Sequence, residues 1–367
     1  MGETVLPLHA RKRITPYQIA QIILGVGFLV FLGWRLYTVI VVEGAYGPDT
    51  WLKFAISGLI IGSVYALITI GYTLVYAILR MINFAHSEVF MVGAFAGFFV
   101  FEALKSIMVG DEPRIPFIDA QPLLSIVLAF LAGIAASTIT GVALERLAYR
   151  PLRRAPRLVP LISAVGASIF LQNAAQLMFG PQRRTYYNLP SLDRNLGWTL
   201  EVAGKPVLIT YTGVFTFVLA ILLLISLNLI VQRTRLGRAM RAVSEDKPTA
   251  ALMGIDVDAV ISRTFAISGV LAGAAGVMWG LHYGQIHSFV GFIPGIKAFT
   301  AAVLGGIGNI PGAMLGAMTL GLIESMGPGG LGMDFQLKDV IAFSILVLVL
   351  VFRPSGLLGE VLSQEKL

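Results

Sequence analysis

The sequence predicts an all-α fold: a polytopic helical membrane protein of about eight or nine spans, some of them discontinuous or re-entrant. Three observations lead there. Apolar runs recur at lengths that cross the hydrocarbon of a bilayer, which takes about 20 residues. Of 367 residues, 56% are hydrophobic and only 13% charged, against roughly 25% charged in soluble domains, and mean hydropathy is +0.82. The basic residues gather in short segments between the runs, as cytoplasmic loops do under the positive-inside rule. The net charge of +7 therefore does not signal a nucleic-acid partner. Strict apolar/polar alternation over strand-length stretches is missing, which argues against an outer-membrane barrel. With no cysteine, disulfides, thiolate metal sites and thiol catalysis are excluded. The 40 glycines suit close helix packing in lipid and backbone breaks at a binding site.

Residues 1–16 are polar and basic (Arg11, Lys12, Arg13), and 17–42 form a long apolar run that contains Arg35. The run exceeds a signal-peptide core and reads as a retained anchor helix, with Arg35 snorkelling to the interface. After a mixed-charge segment, 43–53, a glycine-dotted span covers 54–79 and ends at Arg80. The next stretch crowds Asn83, His86, Ser87 and Glu88 before small and aromatic residues, and continues as a span to about residue 109. An exterior loop with Asp111, Glu112 and two prolines precedes a span at 122–144. Arg146, Arg150, Arg153, Arg154 and Arg157 then mark a cytoplasmic loop. Residues 158–179 return outward, and 180–205, rich in turn formers, suits a small exterior hairpin. Spans at 212–231 and 260–281 enclose a polar segment at 232–258. An exterior or re-entrant turn follows at 282–295, then an apolar run at 299–326 and a last span at 337–352.

With the N-terminus inside and one crossing per run, both arginine-rich loops fall inside, which supports the count. The run at 299–326 carries GGIGNIPG in its middle, and such a sequence does not sustain an ordinary helix. A re-entrant pair of half-helices is preferred there, because non-helical backbone at membrane depth is tolerated where protein or a cavity covers it. The tail then ends inside.

Interrupted segments at 80–94 and 299–318 lie in the first and last parts of the chain, the pattern that points to a transport pathway. Asn83, Ser87, Glu88, Gly305, Gly306 and Asn309 stand at the two breaks, and Gln172 and Asn173 occupy one turn of the 158–179 run. Glycine-rich packing and helix-tying amides are the plainer readings of these residues. For Glu88, the plainer reading is an interfacial site paired locally with Arg80 or His86. A proton relay is not expected, Glu88 being read as the lone acid of the apolar runs. Scattered histidines (His9, His86, His282, His287) give no metal-ligand spacing. A phosphate-cradling G-x-x-x-x-G-K-[ST] loop is absent, so the chain is not expected to hydrolyse ATP itself.

The polar segment 232–258 reads as a docking loop. Arg238 and Arg241 share a helix face, beside an apolar face of Ala239, Met240, Ala242 and Val243. Pro248 suits a first helical turn, a short helix follows over 249–253, and Gly254 is a natural terminator. Adhesion to anionic lipid would account for the arginines, but not for the paired helices and their small residues. Those fit a groove on a soluble partner.

Several stretches, in order, resemble one family: SGLIIGSVYALITIGYTLVYAILRMINFAHSEVFMVGAF, ERLAYRPLRRAP, GASIFLQNAAQLMFG, LGRAMRAVSEDKPTAALMGIDVDAVI, FTAAVLGGIGNIPGAMLGA and FRPSGLLG. They resemble the LivH-type permeases of branched-chain amino-acid ABC transporters over roughly residues 52–359. The resemblance implies an inner-membrane importer subunit. Its expected partners are a LivM-like second permease, two cytoplasmic ATPase subunits, a periplasmic or extracellular substrate-binding protein and membrane lipid, with no nucleic acid. The resemblance further implies that it binds no cofactor directly, ATP acting through the partner ATPases, and that it is not itself an enzyme. Residues Gly237, Arg238, Arg241, Ala250, Ala251 and Gly254 are similar to that family's ATPase-contacting loop. Residues 1–51 form an extension with an added span, 360–367 a tail, and Ser87 stands where the family more often has glycine. Related permeases import urea, short amides or other amino acids. A self-sufficient secondary transporter or channel is the alternative, and the shortage of intramembrane acids counts against it.

Overall fold

The computed structural model describes residues 16–110, 114–153, 155–156, 158–353 and 355–359. The basic stretch 1–15, residues 111–113, Arg154, Arg157, Pro354 and the tail 360–367 lie outside the described residues. The helices are α1 (Pro16–Tyr37, prolonged by a π-helical turn, Thr38–Val42), α2 (Pro48–Leu79), α3 (His86–Ser106), α4 (Phe117–Ala120), α5 (Pro122–Leu144, prolonged through Glu145–Tyr149 and Arg150–Leu152), α6 (Leu158–Phe179) and α7 (Tyr211–Arg233). They continue with α8 (Arg235–Glu245), α9 (Lys247–Leu252), α10 (Val257–Tyr283), α11 (Phe292–Gly305), α12 (Ile310–Leu331) and α13 (Lys338–Phe352). Among the described residues, eight stretches are long and apolar enough to cross a membrane, and α11 is a shorter apolar helix.

The centre of the bundle is built from α2, α3 and α10, whose small residues let backbones touch. A Cβ on Gly321 of α12 would stand 2.4 Å from the carbonyl of Gly58 and 2.5 Å from Cα of Gly62, both on α2. On α10, a Cβ on Gly273 would stand 2.5 Å from the carbonyl of Gly133 on α5. Lipid supplies no hydrophobic drive for helix association, so close van der Waals approach of this kind does the work. The helices α5, α6 and α7 each bury one narrow stripe and leave apolar side chains such as Ile139, Ile162 and Leu222 exposed.

The two ends of the bundle differ. One, the loop side, carries α8 and α9. The other carries an antiparallel hairpin, Gly197–Val202 with Lys205–Thr210. Its turn residues Ala203 and Gly204 have φ of 52° and 75°, the positive pair that a tight two-residue turn requires. The hairpin expected within 180–205 is present and runs on to 210.

Both predicted breaks are real, and each differs from a simple crossing. At the first, α2 ends on Arg80 in the left-handed conformation (φ 56°), and α3 starts inside the bundle. His86 touches Gly71 of α2 and Ser268 of α10, with Ser268 Oγ 3.2 Å from His86 Nδ1. Gly71 precedes Arg80 by nine residues, about 13 Å along the helix. Residues 80–85 therefore turn back into the bundle.

At the second break, α11 and α12 form an antiparallel hairpin. Gly305 lies against Gly312, and Gly316 against Ala301. Gly306 (φ 107°) and Gly308 (φ 97°) make the turn. The 14 residues of α11 reach about 21 Å, short of the roughly 30 Å of hydrocarbon, whereas the 22 residues of α12 are long enough to cross. The half-helix reading thus fits the length of the first arm; α12 has the length to cross but is not among the eight stretches that are also apolar enough. That arm starts at Phe292 rather than 299, because Pro294 falls in its first turn, where no intrahelical N–H is needed. The chain after α13 returns to this turn: Leu357 N donates to Leu304 O at 2.7 Å, and Leu358 N to Gly305 O at 3.1 Å. Arg35 donates from Nε to Leu331 O at 2.9 Å and pairs with Glu43 at 3.6 Å, fastening α1 to the end of α12.

Candidate substrate pathway and docking loop

Because α3 starts inside the bundle, its first turn carries Glu88 to full burial. Glu88 Oε1 accepts from Ser87 Oγ at 3.1 Å, Ser168 Oγ at 3.1 Å and Gln172 Nε2 at 2.7 Å. Its Oε2 has no hydrogen-bond partner among the described residues. The expectation of an interfacial Glu88 paired with Arg80 or His86 fails. Arg80 Nη2 donates instead to Ser244 O at 3.3 Å, and His86 is engaged with Ser268. The physical reason is the turn back between Arg80 and His86, which separates residues that are close in sequence.

The N-terminal ends of α3 and α11 meet beside this carboxylate. A Cβ on Gly291 would stand 2.1 Å from Ser87 O and 3.4 Å from Glu88 Oε2, and one on Gly295 would stand 2.3 Å from Ser87 Cβ. Helix N-termini carry partial positive charge, so two of them face a buried acid. Between α2, residues 80–85 and α11 lies a narrow cleft lined by Tyr72, Thr73, Tyr76, Ile82, Phe299 and Ile307 among others.

The predicted pathway residues separate into groups. Ser87, Glu88 and Gln172 come together. Asn83 is buried just before them, its Oδ1 accepting from Tyr149 Oη at 2.8 Å. Asn173 is exposed and donates to Ile169 O of its own helix at 2.7 Å. Gly305, Gly306 and Asn309 lie at the opposite end of α11, about 15 Å from Gly295 along the helix. There Asn309 Oδ1 accepts from Gly312 N at 3.0 Å and caps α12, while its Nδ2 donates to Leu358 O at 2.9 Å.

Sequence reasoning missed Ser168, although its spacing of four from Gln172 puts both on one helix face. It also missed a second buried acid. Glu324, inside the 299–326 run, is 2% exposed, so Glu88 is not the lone acid of the apolar runs. Lys297 Nζ lies 2.7 Å from Glu324 Oε1 and 2.6 Å from Asp339 Oδ1, with Lys338 Nζ 3.6 Å from Glu324 Oε1. The signal was an acid in apolar surroundings, but its partner Lys297 precedes the run. A group of acids and histidines able to hold a metal ion is absent among the described residues.

The loop between α7 and α10 is two capped helices. Thr234 accepts from Gly237 N at 3.1 Å to start α8. Asp246 Oδ1 accepts from Thr249 N at 3.2 Å, and Oδ2 from Thr249 Oγ1 at 2.6 Å, to start α9. These bonds, the side-chain one foremost, hold the Asp246 carboxyl below the usual aspartate range. Gly254 (φ 82°) ends the unit. Gly237, Met240, Val243 and Ala250 are buried against the bundle, and a Cβ on Gly237 would stand 2.0 Å from Val231 O. Arg238, Arg241, Ala251 and Gly254 face outward, although Arg241 also donates to Val231 O. Leu252 and Met253, not singled out in the sequence, are 88% and 78% exposed. Burial, with Arg153 and Arg80 nearby, lowers the Lys247 pKa.

The sequence matches the family described as branched-chain amino acid transport system / permease component over residues 54–350. It is 46% identical to the high-affinity branched-chain amino acid transport system permease protein BraD of Pseudomonas aeruginosa, over 84% of this chain and 96% of that protein. It is 42% identical, over the same shares, to the permease protein LivH of the corresponding Escherichia coli system. A more distant likeness, 28% over 85% of this chain and 94% of the relative, links it to a probable LivH of Methanocaldococcus jannaschii. No solved structure matches. The bundle of membrane-length helices, the two breaks and the capped two-helix loop are therefore those of a transport permease, and the chain belongs to the branched-chain amino acid transport system permease family.

Proposed function

We propose that this chain is one transmembrane subunit of an ATP-binding-cassette importer that carries branched-chain or related amino acids inward across the bacterial inner membrane. Its N-terminus and the α8–α9 loop face the cytoplasm, where both arginine-bearing loops fall. A LivM-like second permease completes the pore, two ATPase subunits supply ATP hydrolysis, and an exterior binding protein delivers the substrate. The single observation that carries this reading is the α8–α9 loop. Its apolar face is spent on the bundle, yet Leu252 and Met253 on α9 and Arg238 and Arg241 on α8 are all exposed. An apolar tip with a basic flank fits a protein groove, whereas a lipid-bound helix would lay its apolar stripe into the membrane.

The substrate reading rests on the carboxylate cluster. Glu88, with one oxygen held by Ser87, Ser168 and Gln172 and the other unpaired, suits an α-ammonium group. The cleft of Tyr76, Ile82, Phe299 and Ile307, which shares no lining residue with that cluster, offers apolar surface for the side chain farther along the same route. Asn83, Asn173, Gly305, Gly306 and Asn309 then act as framework and not as contacts to substrate.

The test is uptake by the reconstituted complex with a panel of leucine, isoleucine, valine, other amino acids, urea and short amides. ATP-dependent leucine uptake is expected, and the double variant R238E/R241E is expected to lose both uptake and ATPase co-purification. Normal uptake in that variant counts against docking through this loop. Uptake by the lone chain in vesicles driven only by an ion gradient would favour a secondary transporter instead.

A further inference from the structure

Residues 80–85 connect the α8–α9 loop to the Glu88 cluster, and they are gripped at two points. Arg80 Nη2 donates to the carbonyl of Ser244, in the last turn of α8, at 3.3 Å. Three residues on, the buried Asn83 accepts from Tyr149 Oη at 2.8 Å. Tyr149 lies on the prolongation of α5, and that prolongation is fastened to the start of α10. Arg153 pairs with both Glu145 and Asp258, Arg150 lies 3.6 Å from each of the same two acids, and Ser262 Oγ donates to Glu145 Oε2 at 2.7 Å. Ser244 and Asp258 bracket α9. Both ends of the loop's tip thus lead to the same six residues, which run directly into Ser87 and Glu88.

From this we infer that Arg80 and Tyr149 are positioning residues that pass movement of the α8–α9 loop to the Glu88 cluster through segment 80–85. The inference rests on the loop being the ATPase docking site. Arg80 is suited to be the hinge. Its φ of 56° lies in a region that L-residues other than asparagine, aspartate and glycine rarely occupy, so the contact with α8 and the following turn hold it there. Hinges are a few terminal or loop residues that absorb a change of backbone angle. The Tyr149 link differs in kind: its hydroxyl and its ring, 5.4 Å from that of Phe265, tie the segment to α10. A shift of α8 against α10 therefore pulls the two grips apart. The backbone bonds of the 80–85 segment lie toward its two ends, Arg80 N to Tyr76 O at 2.8 Å and Val89 N to Ala85 O at 3.3 Å, and the stretch between them is irregular, so the displacement reaches the first turn of α3.

The test uses the full complex with its ATPases and binding protein in proteoliposomes, reading uptake and ATP hydrolysis together. For R80A, hydrolysis is expected to stay within about twofold of wild type while uptake falls about tenfold, inside the range usual for coupling between sites. R80K, which keeps a donor within reach of Ser244 O, restores most of the uptake. Y149F, losing only the hydroxyl, shifts the ratio of ATP hydrolysed to amino acid imported in the same direction and by less. The chain has no cysteine, so I82C and S244C can carry spin labels in an otherwise silent chain. Their separation changes little on ATP binding with Arg80 present, because Arg80 ties the segment to α8, and changes more with R80A. Uptake and hydrolysis falling in proportion in R80A and Y149F, or a label separation that responds alike with and without Arg80, overturns the inference. If R80A does not assemble, the ratio measured for Y149F decides. Loss of uptake in R238E/R241E beside an unaltered ratio in R80A and Y149F would leave the docking reading standing and remove this one.

Discussion

Glu88 shows how much one residue depends on where the backbone turns. Its carboxylate receives donors from two helices, and the amide and hydroxyl on α6 have little other use at that depth. Replacing it with alanine leaves Gln172 and Ser168 without their acceptor. The cost expected is about 1–3 kcal/mol for buried groups left unsatisfied, seen as a lower melting temperature of the purified protein. Glutamine keeps an acceptor oxygen and the volume, so E88Q is expected to melt close to wild type yet lose leucine uptake. That separation of stability from transport is the mark of a substrate contact. If E88Q transports normally, the carboxylate charge has no part in recognition. The residue was legible in the sequence as an acid at the first break, where an intramembrane carboxylate needs a partner, but its depth was not. Its partners were not, because Ser168 and Gln172 lie 80 and 84 positions away.

At the scale of elements, close backbone approach and caps carry the argument. Helix α12 crosses α2 at Gly321 against Gly58 and Gly62, where a side chain meets backbone and not a movable side-chain end. G321L is expected to destabilise the bundle by about 1–3 kcal/mol or more, as overpacking does, and detergent-solubilised protein should lose its sharp thermal transition. G27L, at a glycine with open space around it, serves as the control and should leave the transition unchanged. On the loop, the Asp246 cap has a sign that can be worked out. Its carboxyl is held below the ordinary value, about 3.9. The cap therefore contributes fully above that value and is lost as pH falls through the depressed one. Hydrogen exchange at the Thr249 amide should stay slow at neutral pH and quicken, beyond the intrinsic pH trend, only in that acidic window. In D246A it should be fast throughout. The helices of this loop were legible from Pro248 and Gly254, whereas the caps at Thr234 and Asp246 were not singled out. Its orientation was not: Gly237 and Ala250 turned inward, while Leu252 and Met253 turned outward.

For the whole molecule, the Lys297–Glu324–Asp339 group joins α11, α12 and α13. Removing only the lysine leaves Glu324 buried without its main partner, a change that typically costs about 3–5 kcal/mol. Lys338, 3.6 Å away, offsets part of that. K297M is thus expected to destabilise the protein strongly, and K297M/E324L to regain most of the loss, both read by thermal unfolding in detergent. Stability of both variants equal to that of the wild type would mean that the pair adds nothing to the association of these helices.

The sequence by itself determined the class of protein, most helix boundaries, the places of both breaks and the family. Each of these follows from local information: run length against bilayer thickness, proline and glycine against helical hydrogen bonding, and motifs read in order. Only the tertiary structure decided which broken segment turns back into the bundle, which acids are buried and with whom, and which face of the α8–α9 loop is free. Those properties depend on contacts between residues tens to hundreds of positions apart. In a bundle whose helices are apolar on nearly every face, hydrophobic periodicity does not say which face meets which neighbour.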